Sequence, residues 1–156
     1  VNVVSADEVL QNWDRIKQTE KSSEPASLLA GVPNGMPSLL RAYEISKRAA
    51  RAGFEWPDFD SVFEKLEEEE KELHEALNNG NQDHIEAELG DLLFTIVNVA
   101  RWAKVEPEEA LRKMLNRFSA RFREMETQAT KQLQDLSAEE WDDLWETSKR
   151  KLSDKQ

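Results

Sequence analysis

Within successive segments between Val9 and Leu144 apolar residues return every three or four positions, and no segment shows the alternating pattern of a strand. That period belongs to the α-helix, so an all-α chain without strands is expected. Ser5 and Glu8 form a capping box that opens a first helix with Val9, Trp13 and Ile16 as its stripe. Ser38 is placed to cap a second helix through Ala52, closed by Gly53, with Leu39, Leu40, Ala42, Tyr43, Ala49 and Ala50 apolar. Its Lys47, Arg48 and Arg51 read as the wet face. In the turn Phe54–Asp60, Asp58 or Asp60 can cap the helix that follows, while Phe54 and Trp56 are expected in the core, an edge-on nucleobase contact being their other use. Pro107 suits the first turn of a helix running to about Thr130, with Leu111, Met114, Phe118, Phe122 and Met125 inward. Ser137 and Glu140 make another capping box ahead of Trp141, Leu144 and Trp145.

Between these lies the stretch Lys65–Asp91, in which two helices flank a break at Asn78-Asn79-Gly80-Asn81. On a projection of 100° per residue, Phe59, Val62, Leu73 and Leu77 fall within about 40° of Leu66 and form the expected buried stripe. Glu68, Glu69 and Glu72 occupy the sector beside it, with Glu69 nearest the core. On the second helix Ile85, Leu89, Leu92, Ile96 and Val99 share one face, and Glu88 and Asp91 lie one turn apart beside it. If the break folds the pair into an antiparallel hairpin, both acidic clusters enter one gap. Four consecutive glutamates repel one another, and an anion near a core is costly unless it is paired or holds a metal. Carboxylate-only donors suit a hard divalent cation. Gly90 weakens its helix and is expected to admit the close approach of a neighbour. A run of glutamates is also the ordinary solvated face of a helix; the second cluster, set into the apolar run DLLFTIV, is what points to a site.

Length and charge narrow the picture further. At 156 residues one domain is expected, and a net charge of −11 argues against a nucleic-acid backbone as partner. With no cysteine, thiolate metal sites and cysteine nucleophiles are excluded. No apolar run has membrane-spanning length and no signal-peptide pattern is present, so no membrane partner is expected and the cytoplasm is the default location. The chain begins with Val, which is expected of a piece of a longer protein. Residues 1–37 read as an N-terminal helix and linker, 38–151 as the main domain and 152–156 as a tail. Arg117 and Arg121, one turn apart beside the apolar stripe, are suited to phosphate oxygens or to pairing with the acidic helices, and both readings stand. Trp145 and Lys149, four apart, could hold a base and a phosphate or dock a tail. A di-iron carboxylate bundle needs Glu three residues before each His, yet Lys71 and Asn81 precede His74 and His84.

With these residues named, the chain resembles the MazG family of nucleoside triphosphate pyrophosphohydrolases, of the all-α pyrophosphatase superfamily. The family signature E-E-x-x-E followed by E-x-x-D reads here as Glu68-Glu69-Glu70-Lys71-Glu72 and Glu88-Leu89-Gly90-Asp91, in one register only. The segments MPSLLRAYEISKRAARAGFEW, GDLLFTIVNVAR and NRFSARFREME are also similar to family segments, and the likeness extends from about Ala6 to Lys149. In two-domain members such a sequence is the C-terminal domain. The resemblance implies magnesium, with manganese as the alternative, on Glu69, Glu72, Glu88 and Asp91, with Glu68 nearby, and nucleotide contacts from Lys65, Glu68, Arg117, Arg121, Trp145 and Lys149. It implies a catalytic set drawn from Glu68, Glu69 and Glu72, hydrolysis to a nucleoside monophosphate and pyrophosphate, and a homodimer that completes a four-helix core. A non-catalytic acidic helical interaction module is the competing expectation.

Overall fold

A computed structural model describes residues 27–153. The first helix expected from Ser5 lies outside them. Among the described residues there are five α-helices, one short 3-10 turn and no strand: α1 (Ser38–Arg51), α2 (Phe59–Asn79), α3 (Gln82–Trp102), α4 (Pro107–Gln128), the turn Leu133–Asp135 and α5 (Ala138–Ser153). The all-α expectation holds.

Local chemistry explains most of the helix ends. Gly53 at φ 98° closes α1: its amide reaches Ala50 O and that of Phe54 reaches Ala49 O, the Schellman pairing that glycine permits. Asp58 caps α2 by accepting from Ser61 N at 2.8 Å. Between α2 and α3 the chain reverses at Gly80, φ 68°, and Asn81 accepts from Asp83 N and His84 N. The Asn81→Ala change is expected to cost about 1 kcal/mol, lowering the melting temperature by about 2–4 °C in a calorimetric scan. Pro107 opens α4, where Glu106 accepts from the amides of Glu108 and Glu109. The box at the start of α5 forms both ways, Ser137 N donating to Glu140 Oε2 at 2.7 Å and Glu140 N to Ser137 Oγ at 3.3 Å. Ser38 makes no such cap; Pro37 holds that position.

α2 packs along α3 as a hairpin, α1 lies across α3, and α5 rests on α4, whose other helix contacts run to α1 and α3. A polar chain joins α1 to α3 and to the loop before α2. The buried Ser46 donates to Asn98 Oδ1 at 2.5 Å and accepts from Arg101 Nε at 2.7 Å. Arg101 clasps Glu55 with two N–H groups at 2.5 and 2.6 Å, and Trp102 Nε1 adds a third donor at 3.0 Å. The Arg101 guanidinium beside it holds Glu55 below the ordinary carboxylate value. Arg48, expected on a wet face, is half-buried and donates to Ala30 O, tying the turn at 28–31 to α1.

Several residues expected in the core are not covered. Phe59 and Leu77 on α2, Leu89 and Ile96 on α3, and Leu111, Met114 and Phe118 on α4 are exposed, and so is Phe54. Along α4 every residue from Ala110 to Ala120 is exposed. The buried apolar set is small: Val62, Ala76, Val97 and Met125. Among the described residues nothing comes within 4 Å of a Cβ built on Gly90, so no close approach among them explains that glycine. Periodicity identifies an apolar face; only a covering surface makes it a core.

Candidate metal and phosphate site

The α2–α3 hairpin carries the acidic clusters, and its packing sets which carboxylates meet. On α2 the buried meridian runs through Val62, Glu69 and Ala76, each seven residues apart, so Glu69 stands at the centre of the packed face rather than beside it. Leu66 and Leu73 flank that line on one side, Lys65 and Glu72 on the other, all half-buried. From α3, Glu88 and Asp91 point into the same gap. Ligand-competent atoms of Glu69, Glu88 and Asp91 all lie within 4.8 Å of one another.

The electrostatics of this trio are unbalanced. Glu69 is 5% exposed, and its Oε2 has no hydrogen-bond partner among the described residues. Its Oε1 is held by Lys65 Nζ at 2.7 Å, and the same ammonium reaches Glu68 Oε1 at 3.0 Å. Those two carboxylates raise the Lys65 pKa well above its usual range, Glu69 contributing most. Glu88 has His84 Nε2 at 2.9 Å from its Oε1. Glu72 lies outside the close trio but within its field: loss of hydration raises its pKa, Lys65 opposes this, and Glu69, Glu68 and Glu88 push it further up. A buried carboxylate oxygen with no donor, facing two more carboxylates, fits a divalent cation bound through oxygen.

The remaining sequence candidates gather on the other helix pair. Arg121 lies over the Trp145 ring at 5.5 Å, and Trp145 meets Phe118 at 5.6 Å between ring centres. Phe118, Phe122, Met125, Trp141, Asp142 and Trp145 line a groove of about 230 Å³. Arg117 is exposed and lines a separate hollow of about 340 Å³ with Val105, Glu106, Glu109, Ala110 and Lys113. Lys149 pairs with Glu146. The carboxylates thus sit on α2–α3 and the guanidinium and indole groups on α4–α5. A further hollow of about 590 Å³, beside Glu126, Thr130 and Asp135, carries none of these residues. Two features escaped the sequence reading. The His84–Glu88 contact is signalled only by their spacing of four, and the Ser46–Asn98–Arg101–Glu55 chain only by an Asn inside an apolar run.

Residues 58–125 match the MazG nucleotide pyrophosphohydrolase domain. The chain is similar to the nucleoside triphosphate pyrophosphohydrolase/pyrophosphatase MazG of Thermotoga maritima, 40% identical over 142 residues, which span 89% of this chain and 54% of that protein. It is 35% identical over 158 residues to the nucleoside triphosphate pyrophosphohydrolase of Escherichia coli K12, covering 96% of this chain and 59% of that protein. An uncharacterized protein of Bacillus subtilis, YabN, is 41% identical over 153 residues, which span 96% of this chain and 31% of that protein. The chain therefore spans somewhat over half the length of the first two relatives. No helix among the described residues is long and apolar enough to cross a membrane.

Proposed function

We propose, from the match of residues 58–125 to the MazG nucleotide pyrophosphohydrolase domain, that this chain hydrolyses nucleoside triphosphates to the monophosphate and pyrophosphate, with water attacking the α-phosphorus. The observation that carries the reading is the buried Glu69 Oε2, without a donor and facing Glu88 and Asp91. The same grouping favours a bound cation over a merely solvated acidic face. Glu69, Glu88 and Asp91, with Glu72 at the margin, would hold magnesium or manganese. Such a cation, when bound, supplies charge neutralisation for the triphosphate and a more acidic water.

The chain's own groups do the rest. Glu68, one of whose oxygens pairs with Lys65, would accept the proton of the attacking water. Arg117 and Arg121 offer planar donors to phosphate oxygens, where charge grows on the departing pyrophosphate. The Trp145 ring offers a stacking face for the base, and Lys149 a further cation. The exposed apolar faces of α2, α3 and α4 favour a homodimer in which a second copy covers them. Residues 38–151 would form the catalytic domain, residues 1–37 an N-terminal helix and linker and 152–156 a tail.

The direct test is a nucleoside triphosphate panel with magnesium, with pyrophosphate and orthophosphate assayed separately. Pyrophosphate release that EDTA abolishes is expected. Orthophosphate as the product, or turnover indifferent to EDTA, would count against the proposal. A pH dependence follows from Glu72. Its folded-state pKa is raised above 4.5, so the folded chain takes up this proton before the unfolded chain does. Without metal, this residue's contribution therefore turns more favourable to folding as pH falls into the window between the raised value and 4.5. A cation competes with that proton. The melting shift produced by magnesium is expected to shrink from neutral pH down through the same window, as read by thermal scans with and without the ion.

A further inference from the structure

We propose that Lys65 is a displaceable counter-ion: its ammonium keeps Glu69 occupied until a divalent cation enters, and is then released to the triphosphate, so that one side chain couples the two binding events. This inference rests on the acidic trio being a cation site.

The geometry supplies each part. Lys65 stands one turn before Glu69 on α2 and binds its Oε1 at 2.7 Å, while also touching Glu68 at 3.0 Å. Glu69 is buried and its second oxygen has no partner among the described residues, so Lys65 is the charge there that makes its burial tolerable. A cation among Glu69, Glu88 and Asp91 would lie only a few ångströms from an ammonium on the same carboxylate, and the two repel. Lys65 has somewhere to go. Its side chain is 34% exposed, so it already borders solvent. Its flexible stem can carry the ammonium outward as a point charge for phosphate. A rigid ion pair would instead be a structural feature and would stay in place when the cation binds.

The test is isothermal titration of the whole chain with manganese, alone and with a non-hydrolysable nucleoside triphosphate, for the parent, Lys65→Met and Lys71→Met. Lys71 is the control: it lies nearby on α2 but is exposed and pairs at 3.9 Å with Glu75. Without nucleotide, Lys65→Met should bind manganese about tenfold more tightly than the parent, because a charge-assisted hydrogen bond need no longer be broken. Lys71→Met should change affinity less than about twofold. The tightening of manganese binding by the nucleotide should be smaller in Lys65→Met than in the parent. Manganese binding unchanged or weakened in Lys65→Met, or strengthened equally in Lys71→Met, would overturn the exchange while leaving the cation site intact. An absence of manganese binding in all three proteins would overturn both. Lys65→Gln, with a shorter polar stem, repeats the measurement should the methionine variant fold poorly.

Discussion

Glu69→Gln is expected to abolish cation-dependent stabilisation and to reduce pyrophosphate release at least about a hundredfold, the order found when one preorganised charge is removed from a water-poor site. The same change should leave the metal-free chain as stable as before or more stable. In the parent, a carboxylate only 5% exposed has one oxygen on Lys65 and the other without a partner among the described residues. Leaving a buried charge half-satisfied costs folding free energy. The amide keeps the shape, drops the charge, and leaves Lys65 its second partner, Glu68, at 3.0 Å. A gain of about 1 kcal/mol would raise the metal-free melting temperature by about 2–4 °C. Thermal scans with magnesium and with EDTA, beside a pyrophosphate assay, provide the check. A variant that keeps the parent's turnover and its magnesium-induced melting shift would remove Glu69 from the site.

The second large effect concerns the uncovered apolar faces. At micromolar concentration the parent is expected to run at twice its 18.0 kDa mass, and Leu115→Glu at a single mass, by light scattering after gel filtration. Leu115 is 53% exposed and sits in the stretch of α4 where every residue from Ala110 to Ala120 faces outward. Leu93 and Ile96 on α3 and Phe63 on α2 are also exposed, so apolar surface recurs on all three helices. Soluble monomers rarely show that much. Burying one leucine is worth about 1.5–3 kcal/mol. A two-fold contact would use each patch twice, so a charge at Leu115 should raise the dissociation constant at least about a hundredfold. A parent that stays at a single mass throughout the micromolar range would show that something other than a second copy covers these helices.

The helical repeat and the end signals were legible in the sequence because both are local. Gly53, Gly80, Asp58, Asn81, Pro107 and the Ser137–Glu140 box act on amides within a few residues, so no distant partner is needed to interpret them. The pairing of Glu69 with Glu88 and Asp91 was also legible, since a two-residue reversal between long helices leaves little freedom in register. What periodicity misjudged was depth. It centred the α2 stripe on Leu66 and set Glu69 beside it, whereas contact with α3 puts Val62, Glu69 and Ala76 on the packed line and leaves Phe59 and Leu77 outside.

By itself, then, the amino-acid order determined which of the described residues are helical, where those helices stop, and that carboxylates from two neighbouring helices face one gap, because backbone hydrogen bonds and side-chain caps are settled within a turn or two. Only the tertiary structure decided that Glu69 is buried with one oxygen bare, that Lys65 holds the other, and that whole apolar faces stay open. Burial and charge balance depend on which distant surfaces come to rest against a helix, and no spacing along a single chain encodes that.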